Sequence, residues 1–256
     1  MKERCLVNGL GFIGSNLVKS LERSGSEVIK GNRLGIVPPD IDRIYDLSAY
    51  GNMHGQNEVD EIYRANVARV VDLLRTTENY KSCILTSSSA VLLSKQTFYS
   101  SSKKAMEDLA QRWVEETDKP VVVVRPATII GPGEQPQHLI PTLIRSCQTG
   151  ERMKFVPHPT HDFLHVQDFV DGVMLIAKYA NELKGQVLDL GTGIPSSNRM
   201  VLDLVEEYTG KKANIEEVAL LRKHDTQDWT VPPSLQLMKL GWKRKYTLEQ
   251  TIEQMI

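Results

Sequence analysis

Through the first two thirds of the chain, short apolar runs of strand length alternate with segments whose apolar residues recur at helical spacing. Residues 5–8, 27–30, 43–47, 82–86 and 121–124 predict strands. The last of these is four valines in a row, the pattern of a strand buried on both faces. Between them Ile13, Leu17 and Leu21 return every fourth residue. Val67, Val70, Val71 and Leu74 form an i, i+3, i+4, i+7 stripe, and Met106, Leu109, Ala110 and Trp113 form another. This alternation predicts an α/β fold: a doubly wound parallel sheet with helices packed on it.

From Pro126 the texture changes. Pro126, Gly131, Pro132, Gly133, Pro136, Pro141, Pro157 and Pro159 punctuate the chain and favour loops and short elements. Helical stripes return at 166–179, at 200–208 ending in Gly210, and at the C-terminus, where Thr247 and Gln250 form a capping box ahead of Ile252 and Ile256. The expected organisation is a sheet domain over 1–125, to which 161–190 returns, and a smaller C-terminal lobe from 126–160 and 191–256.

Composition narrows the functional classes. The 31 basic and 32 acidic side chains leave a formal charge of -1, which gives no electrostatic reason to expect nucleic acid or an acidic membrane as partner. No apolar run approaches the roughly 18 residues of a membrane helix. The first residues run directly into a glycine motif, so no targeting segment is expected. Cys5, Cys83 and Cys147 are far apart, which predicts reduced thiols in a cytoplasmic protein and excludes a zinc ribbon. His158, His161 and His165 cluster with Asp162, but Pro157 and Pro159 oppose a helix that would align them, and no metal site is expected.

Gly9-Leu10-Gly11-Phe12-Ile13-Gly14 is a GxGxxG between a predicted strand and a predicted helix. In that context the glycines of a dinucleotide site permit a tight turn, backbone approach to the pyrophosphate and close helix packing, with free N–H groups of the helix start on the phosphates. At the end of the second strand, where a carboxylate would bind the adenosine ribose, stand Gly31, Asn32 and Arg33. A guanidinium there pairs with a 2'-phosphate, so NADP is favoured over NAD.

Tyr99 and Lys103 lie at i and i+4 at the start of a predicted helix, on one face. A phenol with a reference pKa of about 10 needs roughly 4 kcal/mol of preference for phenolate to fall by about 3 units, and a lysine with a cationic nicotinamide supplies such a field. A second Tyr-xxx-Lys, Tyr208 and Lys212, is split by Gly210 at a helix end and reads as a surface terminus. Tyr99 stands apart because Ser87, Ser88 and Ser89 end a predicted parallel strand eleven residues before it, where α/β sheets place ligands.

Together with Asp46-Leu47-Ser48-Ala49, Asn66-Val67, Val124-Arg125-Pro126, Gly131-Pro132-Gly133, residues 162–168, Leu190-Gly191-Thr192-Gly193 and Leu240-Gly241-Trp242, these motifs resemble, from end to end, the extended short-chain dehydrogenase/reductase family. The likeness is to its nucleotide-sugar epimerases, dehydratases and reductases. It implies a Rossmann domain with a C-terminal lobe that holds a nucleoside diphosphate sugar, and a homodimer built through helices near 66–75 and 102–115. By the resemblance Ser88, Tyr99 and Lys103 are catalytic. Gly9, Gly11, Phe12, Ile13, Gly14, Asn32, Arg33, Leu47, Ser48, Ala49, Asn66 and Lys103 bind the cofactor, and Ser88, Ser89, Tyr99, Ala127, His161 and Arg222 the substrate.

The chain departs from the family pattern in several places. The glycine turn is one residue shorter, with Asn8 in place of threonine. The interval from Arg33 to Tyr45 is too short for the family's third strand and helix, so the sheet is expected to lack about one strand-helix unit. Ala127 replaces an asparagine and His161 an arginine that contact the substrate diphosphate, leaving Arg222 as a remaining cation. Where the dehydratases carry an elimination acid after the catalytic hydroxyl, this chain has Ser89 and Ala90. The expected function is an NAD(P)-dependent nucleotide-sugar epimerase acting through a transient keto sugar. An NADPH-dependent keto-sugar reductase is the alternative, and a catalytically silent dinucleotide-binding regulator is the alternative of another class.

Overall fold

A computed structural model describes residues 2–31, 37–53, 55–77, 79–219 and 229–256. In chain order the elements are β1 (Arg4–Asn8), α1 (Phe12–Arg23), β2 (Glu27–Lys30), β3 (Arg43–Asp46), α2 (Val59–Tyr63), a π-helical turn (Arg64–Ala68), α3 (Arg69–Thr76), β4 (Ser82–Thr86), a 3-10 turn (Ser89–Leu92), α4 (Phe98–Thr117) and β5 (Val121–Pro126). There follow β6 (Thr128–Ile130), α5 (Leu139–Thr149), β7 (Met153–Phe155), β8 (Thr160–His165), α6 (Val166–Lys178), α7 (Ala180–Leu183) and β9 (Val187–Leu190). The chain ends with β10 (Pro195–Ser197), α8 (Asn198–Thr209), β11 (Ile215–Glu217), α9 (Leu235–Lys239) and α10 (Leu248–Glu253).

One compact unit comprises Met1–Pro126, Val170–Asp189 and Ser234–Trp242, and it contains a six-stranded sheet in the order β2-β1-β3-β4-β5-β9. The neighbours from β2 to β5 run parallel, with Asn8 beside Asp46 and Asp46 beside Leu85 in the register. The order reverses at β1, where β2 lies on one side and β3 on the other, and such a switch opens a crevice at the carboxyl ends of the strands. β3 pairs directly with β1, and the described residues 37–42 contain no strand or helix, in agreement with a sheet shortened by one unit.

Both faces of this sheet are covered. Leu17, Val18 and Leu21 of α1 are buried, and Leu6, Ile44, Leu85 and Val123 of the strands share a core with Val70, Leu73 and Leu74 of α3 and Met106 and Ala110 of α4. Each such side chain contributes roughly 1.5 to 3 kcal/mol when removed from water. The helix before α3 faces inward differently from the expected stripe. Ile62, Asn66, Val70, Leu73 and Leu74 are buried, while Val67 and Val71 are half-exposed. The π turn holds one extra residue per turn and shifts the inward face.

The second unit comprises Ala127–Phe169, Leu190–Pro233 and Lys243–Ile256. In it β8 runs parallel to β6 and antiparallel to β10, and β7 pairs with β11. Its core joins Ile140, Leu143 and Ile144 of α5 to Val201, Leu202 and Val205 of α8, with Leu248 and Ile252 of α10. Thr247 and Gln250 form the expected capping box, and the helix stops before Ile256, which is exposed.

The boundary after Pro126 falls one residue beyond the expected one, but the returning segment differs from 161–190. Residues 161–169 stay with the second unit, because β8 lies between β6 and β10 and the buried Asp162 carboxylate accepts from the Thr192, Gly193 and Val231 amides. Residues 234–242 belong to the first unit. Met106→Ala, which empties a site enclosed by the sheet and α3, is expected to lower stability by about 2 to 5 kcal/mol in urea denaturation. Lys104→Ala on the exposed side of the same helix should change it by less than about 0.5 kcal/mol.

Candidate active site

The glycine loop joins β1 to α1. Gly9 has φ +83, and a Cβ there would stand 2.6 Å from the backbone of Leu47 and Ser48, so the turn runs against the chain leaving β3. A Cβ on Gly14 would meet the Gly9 carbonyl oxygen at 2.0 Å. Around Gly11, by contrast, the space is open within 4 Å. Gly11 caps α1 without a side-chain hydrogen bond, and the first turn of the helix carries no acidic residue. Unshielded N–H groups at an electropositive helix start fit a pyrophosphate. Phe12 is buried and Ile13 half-buried, so they anchor the first turn. Asn32, Arg33 and Arg222 lie outside the described residues.

Beside the loop, Leu47 and Ser48 are half-buried and Ala49 is exposed. The Ser48 hydroxyl donates to Asp46 Oδ1 at 2.9 Å, and the buried Asp46 accepts Arg69 Nη2 on Oδ2 at 2.7 Å. Asn66, expected to contact the cofactor, is enclosed and bonded within the chain. Its Oδ1 accepts the Tyr50 N–H at 3.0 Å, and its Nδ2 donates to the Tyr50 carbonyl at 2.8 Å and to Ser102 Oγ at 2.9 Å. With both amide hydrogens used, Asn66 braces the loop after β3 against α4.

Helix α4 starts at a capping box of Thr97 and Ser100, which sets Tyr99 and Lys103 one turn apart on the first two turns. Lys103 is 3% exposed and its Nζ donates to the Thr86 carbonyl at 2.7 Å. Burial pushes its pKa down to about 8, opposed by the charges of Asp46 and Glu107 and reinforced by Arg69. Burial drives the Tyr99 phenol up to about 12, against the Ser88 hydroxyl beside it, which lowers it. The ammonium is turned to Thr86, and in the chain by itself Ser88 is the group that lowers the phenol.

The three serines separate by role. Ser88 caps the 3-10 turn, accepting the Ala90 N–H at 3.2 Å, and faces Tyr99. Ser87 Oγ donates to Glu107 Oε1 at 2.5 Å, and Arg125 grips the same carboxylate through Nε and Nη2 at 2.7 and 2.6 Å. Ser89, expected at the substrate, is buried and donates to the Pro126 carbonyl at 2.7 Å, so its hydroxyl is committed to the chain. Thr86 keeps a buried hydroxyl with no hydrogen-bond partner beside this group.

Two expected substrate residues lie in the second unit. Ala127 is buried, and its N–H donates to the Leu190 carbonyl. The His161 ring centroid lies 5.8 Å from that of Phe163 and 6.0 Å from that of Trp229. Tyr208 and Lys212 flank the left-handed Gly210 that ends α8, and Lys212 pairs with Glu206, as a surface terminus requires. Among the described residues no group of three His, Cys, Asp or Glu can hold a metal, and no helix is long and apolar enough to cross a membrane.

The sequence reading did not single out Glu107 and Arg69, and it noted Asp46 only within a family motif. Glu107 had a readable signal, four residues beyond Lys103 on the same helix face, and Arg125 had been noted only within a family motif. Asp46 and Arg69 are 23 residues apart and nothing local in the sequence pairs them. The arrangement as a whole offers an anion-binding helix start, a phenol beside a hydroxyl, and an enclosed amine: the parts of a proton-transfer site beside a dinucleotide cradle.

Comparison with known proteins agrees with this chemistry. CDP-abequose synthase of Salmonella typhimurium strain LT2 is 23% identical over 302 residues, covering 100% of this chain and 98% of that protein. Human dTDP-D-glucose 4,6-dehydratase is 25% identical over 170 residues, 62% of this chain and 47% of that protein. The structure of MoeE5 in complex with UDP-glucose and NAD superposes with a TM-score of 0.87 at 26% identity, covering 98% of this chain and 96% of that one. Residues 5–191 match the NAD dependent epimerase/dehydratase family, and the chain belongs to that family, within the extended short-chain dehydrogenases/reductases.

Proposed function

We propose that this protein is an NAD(P)-dependent epimerase of nucleoside diphosphate sugars that works through a transient keto sugar. The placement of the Ser88 hydroxyl beside Tyr99, with Lys103 enclosed one turn further along α4, carries the reading. Gly9, Gly11 and the start of α1 would hold the pyrophosphate, and Lys103 the nicotinamide ribose. A bound nicotinamide supplies a reversible hydride acceptor. Tyr99 takes the proton of a sugar hydroxyl and returns it to the carbonyl oxygen, and Ser88 hydrogen bonds that oxygen in both directions. Lys103 keeps a positive charge near the phenol as it ionises.

The two residues after Ser88 support this reaction over elimination. Ser89 spends its hydroxyl on Pro126 and Ala90 has none, so neither supplies the acid that a dehydratase needs. A reductase of keto sugars is the second reading. A phenol held at about 12 is protonated at neutral pH, the state required to donate a proton to a carbonyl. We assign the protein to the cytoplasm on its three free, buried thiols.

Tyr99→Phe is expected to abolish turnover of sugar nucleotides with cofactor affinity nearly unchanged, and Ser88→Ala to reduce kcat by about 100- to 1000-fold. Steady-state kinetics and cofactor titration check both, and retained activity of the phenylalanine variant overturns the assignment. Mass spectrometry of the purified protein separates the classes: retained dinucleotide supports the epimerase, free exchange the reductase, and no binding a regulator.

Arg33 is proposed to select NADP(H). Arg33→Ala should weaken NADPH more than NADH by about 1.5 to 3 kcal/mol, as loss of a charge-assisted contact to a 2'-phosphate requires. Fluorescence titration of both cofactors decides it, and equal wild-type affinities refute it. We also propose a homodimer through the faces of residues 66–75 and 102–115, which carry half-exposed Val67, Val71 and Leu109. Light scattering at micromolar concentration should give twice the chain mass of 28.8 kDa.

A further inference from the structure

Three successive residues at the end of β4 meet one face of α4. Lys103 Nζ donates to the Thr86 carbonyl at 2.7 Å, Ser87 Oγ donates to Glu107 Oε1 at 2.5 Å, and Ser88 lies beside Tyr99. Tyr99, Lys103 and Glu107 follow one another at four-residue intervals along the helix. The Ser87 backbone is held as well, since its N–H donates to the Val124 carbonyl of β5 at 2.8 Å. From the next residue of that strand Arg125 reaches the Glu107 carboxylate through Nε and Nη2, at 2.7 and 2.6 Å. Its Nη1 stands 3.9 Å from Asp189 Oδ1, a buried oxygen with no hydrogen-bond partner. The guanidinium is thus committed to α4 although a second anion is close by.

We propose that Ser87, Glu107 and Arg125 are positioning residues that act through Lys103: together they lock the end of β4 to α4, so that the amine meets the Thr86 carbonyl and the phenol one turn earlier meets Ser88. The inference deepens the proposed function and rests on it for the roles of Lys103 and Tyr99. Its basis is geometric. The Thr86 carbonyl and the Ser87 N–H belong to one planar peptide unit, so whatever fixes Ser87 also fixes the oxygen that receives the Lys103 ammonium. Ser87 is fixed twice, at its N–H by β5 and at its hydroxyl by the helix that carries Lys103. Glu107 is 2% exposed and Ser87 3%, so water does not compete for the bond between them, and charge-assisted bonds between enclosed groups are short and strong. Arg125 holds the carboxylate at two points, which sets its orientation as well as its place. Such support matters because a displacement of about 1 Å at a reacting group costs about 100-fold in rate.

The test reads the docked amine in cofactor-free protein, with two variants that keep every charge around it. Lysine is labelled with 13C at Cε, the Lys103 signal is identified by its loss in Lys103→Arg, and its titration is followed by NMR beside a urea denaturation curve. Wild type should titrate at about 8, as its enclosure requires. Ser87→Ala removes the tether and leaves Glu107 both of its bonds from Arg125, and Arg125→Lys keeps the cation but not the two-point grip. In each, a loosened dock admits water to the ammonium, so the midpoint should rise toward the ordinary lysine value of about 10.4, by about half a pH unit or more. A purely structural pair would lower the urea midpoint and leave the lysine titration where it was. An unmoved or lowered lysine midpoint in Ser87→Ala overturns the proposal, and if that variant does not fold, Arg125→Lys decides by the same reading. Fluorescence titration of wild type with NADH and NADPH runs in parallel. Failure to bind either would overturn the proposed function, whereas binding with an unmoved lysine would overturn this inference alone.

Discussion

The carboxylate of Glu107 is the point from which the rest of the site is held. It lies two turns beyond Tyr99 and one beyond Lys103 on α4, almost fully buried, and takes hydrogen bonds from Arg125 at the end of β5 and from Ser87 just past β4. A buried carboxylate must be paired, and losing one partner of such a pair costs about 3 to 5 kcal/mol. Because its partners come from two neighbouring strands, the pairing admits one rotation and one height of α4 over the sheet. That placement brings Tyr99 to Ser88 and Lys103 to the Thr86 carbonyl.

The sheet supplies the other half of the arrangement. β1 is flanked by β2 and β3, so the strands on its two sides wind in opposite directions and their carboxyl ends open beneath the glycine loop. Losing a strand-helix unit at the β2 edge leaves this switch point intact, since the pairing of Asn8 with Asp46 lies inside the sheet. The loss falls instead on the rim beyond β2, where adenosine would be held. An edge can be shortened without disturbing catalytic geometry because the packing that orients α4 comes from β4 and β5.

Within so broad a family, reaction type turns on a few side chains around a common frame. The match to a 4,6-dehydratase covers 62% of this chain, yet the hydroxyl of Ser89 is bonded to Pro126 and Ala90 is inert. In the proposed reaction the frame sets where a sugar hydroxyl would meet the phenol, and the two residues after Ser88 supply no acid for elimination. The high pKa of Tyr99 has the same meaning. A frame that encloses the phenol holds it protonated, and ionisation needs a positive field close by.

Features of the chain that depend on near neighbours were legible in its sequence. The alternation of strands and helices, the glycines at 9, 11 and 14, the capping box at Thr247 and the i, i+4 relation of Tyr99 and Lys103 are all relations within a few residues, and periodicity reports such local geometry directly. The shortened sheet was legible too, as a count of residues between Arg33 and Tyr45. What the sequence did not show was what holds the hydroxyls of Ser87 and Ser89, what Asn66 is bonded to and which charges surround Lys103. Those answers depend on partners 18 to 37 residues away: Glu107 with Arg125, Asp46 with Arg69, Asn66 with Ser102, Ser89 with Pro126. No spacing encodes them, because the order and register of the strands and the rotation of α4 on them choose which side chains meet.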